Sequence, residues 1–528
     1  VTFAADDDNA PPELTKIVKG SGLSIVTRAE IAKMIGAHSV EPSEMLPMEV
    51  VAGQKAPGAS GYRRFKARGC VCGAVGPSEQ TFTQHVDIAS LRMALAVCAH
   101  RRWSVSALDV STAFLSALLP VDKKRVVIRP PAIFVKFGLV PAGEHWAAER
   151  AIYGPRCSPK AWGDLRDAEL RKLTFTVGAL QCHLEQSAVD SSVWLVKANG
   201  VDDVLGYALS YVGDFLFMGS EGVAWALQTS IGALWTTSSQ KIISPDCPGT
   251  IRYLSIDIRI GPYRLTLSQH ENVHDMLMKW NMAQCSGCQS ISPDDEIYLP
   301  SQPEDDEEKP DPDDVRGAQR MAGGLLWLSS RTRPDLSYSV SRISSHATRR
   351  PRAPLVLGKR VLRYLAATRL LALVYVLSTP RELQDLICQL DVFSDASHGD
   401  AGAQTGVVCF MYGRMLVDRR SLRQQLVCFS TAEAEMNGLA LSCQALYGPE
   451  AVAHSMELQT TAVLHGDNQA ANHIAEGRGS WRTRSLMTKD NAIRSRVERG
   501  MLELIYVVTA LMRADGLAKS KGPHHVAR

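Results

Sequence analysis

The chain has 528 residues, enough for three or four domains at roughly 100–200 residues each. Its 45% hydrophobic and 21% charged content excludes wholesale disorder, and no apolar run is long enough for a transmembrane helix. The net charge of +3 hides an asymmetry: residues 293–314 hold 11 acidic residues and one lysine, a balance of −10 that leaves +13 on the rest, which suits a polyanionic partner.

The chain opens on Val1 without a basic-then-apolar pattern, so no signal peptide is expected, and the sequence reads as a fragment or processed product. Residues 1–55 are rich in Pro, Asp and Gly, with one amphipathic stretch at 23–35, and are expected to form a partly disordered leader. Over 56–285 short apolar runs alternate with helical patterns, the mark of an α+β domain. Residues 286–315 read as an acidic linker, because like charges and proline oppose packing. Residues 316–380 read as helical, with apolar stripes at Leu325, Leu326, Val361, Leu362 and Leu365. From 386 to 528 the pattern changes to strands at 386–393, 405–411 and 425–429, a long helix from Thr431, a strand at 462–465 and further helices.

The 12 cysteines scatter through apolar segments such as those around Cys98, Cys409 and Cys428. They are expected to be buried thiols in a reducing, intracellular compartment. The pair Cys285 and Cys288 lacks a second pair at zinc-ribbon spacing, Cys70 and Cys72 being distant and wrongly spaced.

Three constellations carry chemistry or simple structure. In Ala107-Leu-Asp-Val-Ser-Thr-Ala-Phe-Leu115, Asp109 shares one strand face with Val105 and Ala107. It is either a helix cap or a carboxylate held for a cation. In the run from Leu205 to Gly219, two apolar strands flank an expected Gly213-Asp214 turn. It is either a plain hairpin or one that presents Asp214 beside the first strand. The third comprises Phe393-Ser-Asp-Ala-Ser397, Ser430-Thr-Ala-Glu-Ala-Glu-Met436, Gly466-Asp-Asn-Gln469 and Arg513-Ala-Asp-Gly-Leu-Ala518. Ser430 and Glu433 have capping-box spacing, and Asp395, Glu435, Asp467 and Asp515 are either further caps or a convergent metal-binding set.

The first two segments, about 100 residues apart in this order, resemble the Asp-Val-x-Thr-Ala-Phe-Leu and Tyr-Val-Asp-Asp motifs of copia-type retrotransposon reverse transcriptases. Lys66-Ala-Arg-Gly-Cys-Val-Cys-Gly73 resembles that family's fingers strand, and Ala151-Ile-Tyr-Gly-Pro-Arg-Cys-Ser-Pro-Lys-Ala-Trp162 its Leu-Tyr-Gly-Leu-x-x-Ser-Pro-x-x-Trp motif. Asp190-Ser-Ser-Val-Trp194, Leu265-Thr-Leu-Ser-Gln269, Gly324-Leu-Leu-Trp-Leu328, Thr332-Arg-Pro-Asp335 and Leu362-Arg-Tyr-Leu365 recur there as well. The third constellation resembles the ribonuclease H fused to these enzymes.

The resemblance implies a fingers/palm reverse transcriptase domain, a helical thumb or connection and a ribonuclease H-like α/β domain. It implies two-metal phosphoryl transfer with Mg2+, Mn2+ being a substitute. Asp109 and Asp214 would be polymerase ligands, and Asp395, Glu435, Asp467 and Asp515 ribonuclease H ligands. Phe114 would exclude a ribose 2′-hydroxyl, Tyr153 and Gly154 would line the nucleotide pocket, and Lys66 and Arg68 would meet its phosphates. The implied partners are an RNA template, a DNA primer, an RNA/DNA hybrid and deoxynucleotides, with no membrane; a cytoplasmic particle and the nucleus are both open as locations.

The sequence also departs from the family. Gly213 stands where the family has the first hairpin Asp, Pro155 where it has Leu, Ser255 where it has Gly and Met436 where it has Tyr. Arg482-Thr-Arg-Ser-Leu-Met487 lacks the family's His and Asp. The expectation is a degenerate copy with an impaired polymerase site, the alternatives being a ribonuclease H on a dead polymerase scaffold or a non-catalytic nucleic-acid-binding relic. Two basic clusters, Arg63, Arg64, Lys66 and Arg68, and Arg478, Arg482, Arg484 and Lys489 with Trp481, are either solvated faces or a grip on nucleic acid.

Overall fold

The computed structural model describes residues 2–3, 23–26, 46–55, 64–72, 86–119, 126–291, 310–379, 381–384, 387–398, 403–425, 427–478 and 487–519. Its central sheet has seven strands: β1 (Ser104–Val110), β2 (Thr174–Val177), β3 (Leu180–Gln186), β4 (Val193–Ala198), β5 (Val201–Tyr211), β6 (Asp214–Gly219) and β7 (Thr237–Ser239). They lie in the order β7-β1-β6-β5-β4-β3-β2, all antiparallel.

The middle strands β1, β4 and β6 are largely apolar and buried because both faces of the sheet are covered there, whereas β2, β3 and β7 at its margins are partly exposed. Alternation assigns the faces. Val105, Ala107, Leu216 and Met218 share a core with Leu91 and Leu95 of α1 (Ile88–His100). Leu108, Val110, Phe215 and Phe217 pack instead with Trp162 of α2 (Cys157–Lys172) and with Leu227 and Ile231 of α3 (Glu221–Leu234). Helix α1 is buried at every residue from Ser90 to His100, which its all-round apolar sequence requires.

Before this sheet, Leu46–Lys55 and Arg64–Val71 form an antiparallel hairpin, joined by Val127–Arg129, His145–Ala148 and Leu23–Val26. Leu46 and Met48 supply part of its core with Val71, Ile128 and Trp146. The expected leader boundary at residue 55 therefore falls inside a hairpin, because the apolar residues at its end need a sheet to bury them.

A second antiparallel sheet runs β8 (Gly249–Tyr253), β9 (Ile256–Ile260), β10 (Arg264–Ser268) and β11 (Leu373–Val376). Helices α4 (His270–Lys279), α5 (Pro312–Arg331), α6 (Ser337–His346) and α7 (Arg352–Ala367) come between its last two strands and share one core. Strand β11 corrects the expectation of an all-helical 316–380. Leu325, Val361, Leu362 and Leu365 are buried, but Leu326 faces out. Asp311, Asp313 and Asp314 sit in the cap and first turn of α5, where negative charge suits the helix dipole. Part of the acidic stretch is thus a helix start, and residues 292–309 lie outside the described residues. The Arg333–Asp335 ion pair, with Tyr364 donating to Asp335 at 2.9 Å, ties two of the sequence motifs together in a structural role.

The C-terminal sheet comprises β12 (Ile387–Ser397), β13 (Gln404–Met411), β14 (Met415–Arg423), β15 (Gln459–Gly466) and β16 (Glu503–Tyr506), in the order β14-β13-β12-β15-β16. Its first three strands are antiparallel, and β15 and β16 add in parallel. Helix α8 (Thr431–Ser455) links β14 to β15, and α9 (Gln469–Ala475), α10 (Met487–Glu498) and α11 (Asp515–Ala518) complete the unit. The third strand is Met415–Arg423, not the expected 425–429. Met415, Leu416 and Val417 are buried there, whereas Val427 and Phe429 are exposed and Cys428 alone packs inward, against Ala396 and Ala434.

This unit packs against α1 and, through Met456 and Glu457, touches β5 and β4 of the central sheet. One core contains Leu91, Val105 and Leu209 together with Leu390, Met415 and Met436. Among the described residues no helix is long and apolar enough to cross a membrane.

Candidate functional site

Asp109 and Asp214 are directly opposed in the β1–β6 register, so their Cβ atoms are about 5 Å apart. Asp109 is not a cap, since the following short helix spans Ala113–Ser116 with Thr112 at its N-cap position and no side-chain cap. The turn is Val212-Gly213, not Gly213-Asp214: Tyr211 pairs with Asp214, and the left-handed residue is Val212 at φ 52°. Trp162 of α2 donates to the Val212 carbonyl at 2.7 Å, and the Val110 amide donates to the Gly213 carbonyl at 2.8 Å. Burial, reinforced by Asp109, pushes the Asp214 carboxyl up to about 6.

Beside this pair, Phe114 meets Tyr153 edge-on at 4.9 Å. The Tyr153 carbonyl accepts from the Val71 amide at 2.9 Å. Gly154, at φ 117°, lies so near that strand that a Cβ would sit 1.8 Å from the Val71 carbonyl oxygen, so only glycine fits. The structure thus brings Phe114, Tyr153 and Gly154 together with the fingers hairpin. Lys66 and Arg68 lie on that hairpin, two residues apart on one face; their side chains, and those of Arg63 and Arg64, are outside the described residues.

The second site is built at the ends of β12 and β15. In their parallel register Ser394 pairs with Gly466, which places Asp467 next to Asp395. Ser430 and Glu433 form the capping box, Glu433 accepting from the Phe429 amide at 2.8 Å. Glu435 turns away from that box and accepts from the Ala396 amide at 3.1 Å. The cap of α9 is Asn468, not Asp467, and α11 has no side-chain cap. None of the four acidic residues is a helix cap.

Ligand atoms of Asp395, Glu435 and Asp467 lie within 4.8 Å of one another. Asp395 and Glu435 are buried and Asp467 is half-buried, and the Lys519 ammonium lies 3.2 Å from the Asp395 Oδ2. Burial pushes Asp395 up to about 6 against the opposing pull of Lys519, with Asp515 and Asp467 adding to the rise; burial reinforced by Asp395 and Asp467 pushes Glu435 up to about 8. Three converging carboxylates, two of them buried, offer the hard oxygens that suit a divalent cation such as Mg2+. Asp515, buried at the start of α11, lies outside this trio and is linked to Asp395 through Lys519.

Two further residues shape this site. Gly406 faces Asp395 across the β12–β13 ladder, and a Cβ there would stand 2.6 Å from the Ala514 carbonyl oxygen. Its bare backbone lets α11 approach. Lys519 Nζ lies 3.2 Å from both Asp395 and Asp515. A glycine inside a strand hints at such an approach; nothing local singles out Lys519. In the second basic cluster, Arg478 pairs with Glu476 at 2.9 Å. Trp481, Arg482, Arg484 and the Lys489 side chain lie outside the described residues. Cys285 and Cys288 are free thiols.

An antiparallel palm bearing opposed aspartates, packed on a five-stranded unit bearing an acidic cluster, defines a reverse transcriptase joined to a ribonuclease H-like domain. Comparison with known proteins gives the same family. The reverse transcriptase (RNA-dependent DNA polymerase) family matches residues 54–292. The retrovirus-related Pol polyprotein from transposon RE1 of Arabidopsis thaliana is 26% identical over 448 residues, covering 83% of this chain and 28% of that protein. An uncharacterized mitochondrial protein of the same plant is 30% identical over 240 residues, covering 46% of this chain and 92% of its own length. A solved foamy viral protease-reverse transcriptase in complex with RNA/DNA hybrid gives a TM-score of 0.38 at 11% identity, covering 88% of this chain and 50% of that one. The chain belongs to the reverse transcriptase family, as a reverse transcriptase and ribonuclease H segment of a copia-type retrotransposon Pol polyprotein. It spans 28% of the length of the RE1 relative.

Proposed function

We propose that this segment hydrolyses the RNA strand of an RNA/DNA hybrid and carries an RNA-directed DNA polymerase site that lacks one metal ligand. Fingers and palm occupy residues up to about 285, the helical connection follows the acidic stretch, and the ribonuclease H domain begins near 386. The observation that carries the reading is the contrast between the two sites. Asp395, Glu435 and Asp467 converge within 4.8 Å, whereas Gly213 leaves Asp109 and Asp214 without a third carboxylate.

Asp395, Glu435, Asp467 and Asp515 would hold divalent ions, Mg2+ first and Mn2+ as substitute, at the ribonuclease H site. Such ions activate a water and neutralise charge at the scissile phosphate. The residues around them do the positioning. The Ala396 amide fixes the Glu435 carboxylate, and the β12–β15 pairing fixes Asp395 against Asp467. In the palm, Asp109 and Asp214 would face the primer end and the deoxynucleotide. Phe114, braced by Tyr153, would exclude a ribose 2′-hydroxyl, and Lys66 and Arg68 would meet phosphates. Backbone contacts from basic residues would supply most of the hybrid affinity.

The test is cleavage of a labelled RNA strand in a hybrid, with single-stranded RNA as control. The full chain should cut in Mg2+, and Asp395→Asn should abolish cutting while leaving salt-dependent hybrid binding nearly unchanged. If the unmodified chain binds the hybrid but never cuts it at any Mg2+ or Mn2+ level, the non-catalytic binding relic is the correct reading. Gly213 favours, as a second reading, a ribonuclease H on an inactive polymerase scaffold; primer extension on RNA separates it from the first.

A further inference from the structure

The acidic cluster of the ribonuclease H site has two sides that meet at Asp395. On one side Asp395, Glu435 and Asp467 bring their ligand atoms within 4.8 Å. On the other, Lys519 Nζ stands 3.2 Å from Asp395 and 3.2 Å from Asp515 Oδ1. Asp395 and Asp515 are each only 1% exposed, and two buried carboxylates facing each other need a cation between them. The chain supplies that cation itself. Lys519 caps the C-terminus of α11, its amide donating to the Asp515 carbonyl at 3.1 Å, so backbone and ammonium close on the same aspartate.

We infer that Lys519 is a built-in counter-cation that reserves the Asp395–Asp515 side of the site. A first divalent ion binds at Asp395, Glu435 and Asp467 with Lys519 in place. A second reaches Asp395 and Asp515 only by displacing the ammonium, because both compete for the same hard oxygens. Lys519 is therefore a positioning residue that sets the order and spacing of the two ion-binding steps. The inference rests on reading the acidic set as a metal site.

The experiment is an equilibrium Mn2+ titration of the full chain, followed by the electron paramagnetic resonance signal of free Mn2+. Asp109 and Asp214 are both replaced by Asn so that the palm is silent. In this background the otherwise unmodified ribonuclease H site should bind one ion tightly and a second weakly. Lys519→Met should tighten the second step by about tenfold or more, since a full positive charge a few ångströms away is removed. Lys519→Arg, which keeps the charge, should behave as the parent. Without metal, Lys519→Met should melt at a lower temperature than the parent, and added Mn2+ should recover more of its stability.

Superimposable binding by Lys519→Met and the parent overturns the inference, as does Lys519→Arg behaving like Lys519→Met. The underlying reading fails separately: if Asp395→Asn binds Mn2+ as the parent does, or neither the parent nor Lys519→Met binds any, the acidic cluster is not a metal site.

Discussion

At Gly213 the backbone accepts a side chain and the neighbours nearly do. The left-handed turn position belongs to Val212, not to Gly213. A Cβ on Gly213 would meet the Ala113 Cβ and the Val110 carbonyl oxygen at 3.1 Å and the Asp109 Oδ1 at 3.7 Å. Shifts of a few tenths of an ångström make room, so Gly213→Asp sets a third carboxylate against Asp109 and Asp214. Without metal this variant should be less stable than the unmodified chain, because three like charges share one hairpin end. With Mg2+, primer extension on an RNA template should rise by roughly a hundredfold or more, the scale on which a missing charge-stabilising group acts. Labelled deoxynucleotide incorporation checks it, with Asp109→Ala as the silent control. Equal extension by the unmodified chain would show that two carboxylates suffice. Ser255 is a smaller departure. It sits at φ 62° beside Leu254 at φ 49°, in the two-residue turn between β8 and β9. That turn wants glycine, which explains the family's preference there.

Helix α11 is only four residues long, and its position depends on the strand beneath it. Gly406 of β13 lets the Ala514 carbonyl come where a Cβ would be 2.6 Å away, with the Leu517 Cβ at 2.8 Å. Gly406→Ala must push α11 outward, carrying Asp515 and Lys519 away from Asp395. The expected cost is about 1–3 kcal/mol of stability, with RNA-strand cleavage falling far more than hybrid binding. Gly448→Ala is the comparison. It lies within α8 with nothing within 4 Å of its Cβ position, so it should be neutral or slightly stabilising. Thermal melting and hybrid cleavage measured side by side decide the matter. Unchanged cleavage in Gly406→Ala would mean that α11 does not complete the site.

Arg92 ties the parts of the molecule together. It is the one arginine in the buried helix α1. Its guanidinium donates to the Ser330 and Arg331 carbonyls at 2.9 and 2.8 Å and to the Val417 carbonyl at 3.5 Å. Ser330 and Arg331 end helix α5, where carbonyls lack intrahelical partners and the dipole is negative. Val417 belongs to β14 of the ribonuclease H unit. A second tie joins β5 to the end of α8, Tyr207 donating to the Met456 carbonyl at 3.0 Å. With one core shared between palm and ribonuclease H unit, the two should unfold in a single calorimetric transition. Arg92→Met keeps the bulk but strands buried carbonyls, at about 1–3 kcal/mol each, and should lower that transition by several degrees. Two separate transitions in the unmodified chain would show that the shared core does not couple the units.

The sequence alone pointed to the family and the fold class, because those depend on local motifs and on alternation along strands, and it set the six acidic residues near the ends of their elements. Phe114, Tyr153 and Gly154 were legible for the same reason. The tertiary structure decided what depends on distant partners. Strand Leu46–Lys55 joined the fingers because Leu46 and Met48 needed a sheet to bury them. Val427 and Phe429 stayed exposed because Met415–Arg423 already supplied the sheet's third strand. Whether Asp395, Glu435, Asp467 and Asp515 were caps or a convergent set could not be read from spacing, since either role suits the end of an element. Strand register brought Asp395, Glu435 and Asp467 together, and no side-chain cap falls to Asp467 or Asp515. Lys519 was invisible in the sequence for the same physical reason: a lysine becomes a counter-cation only when folding buries two carboxylates on either side of it.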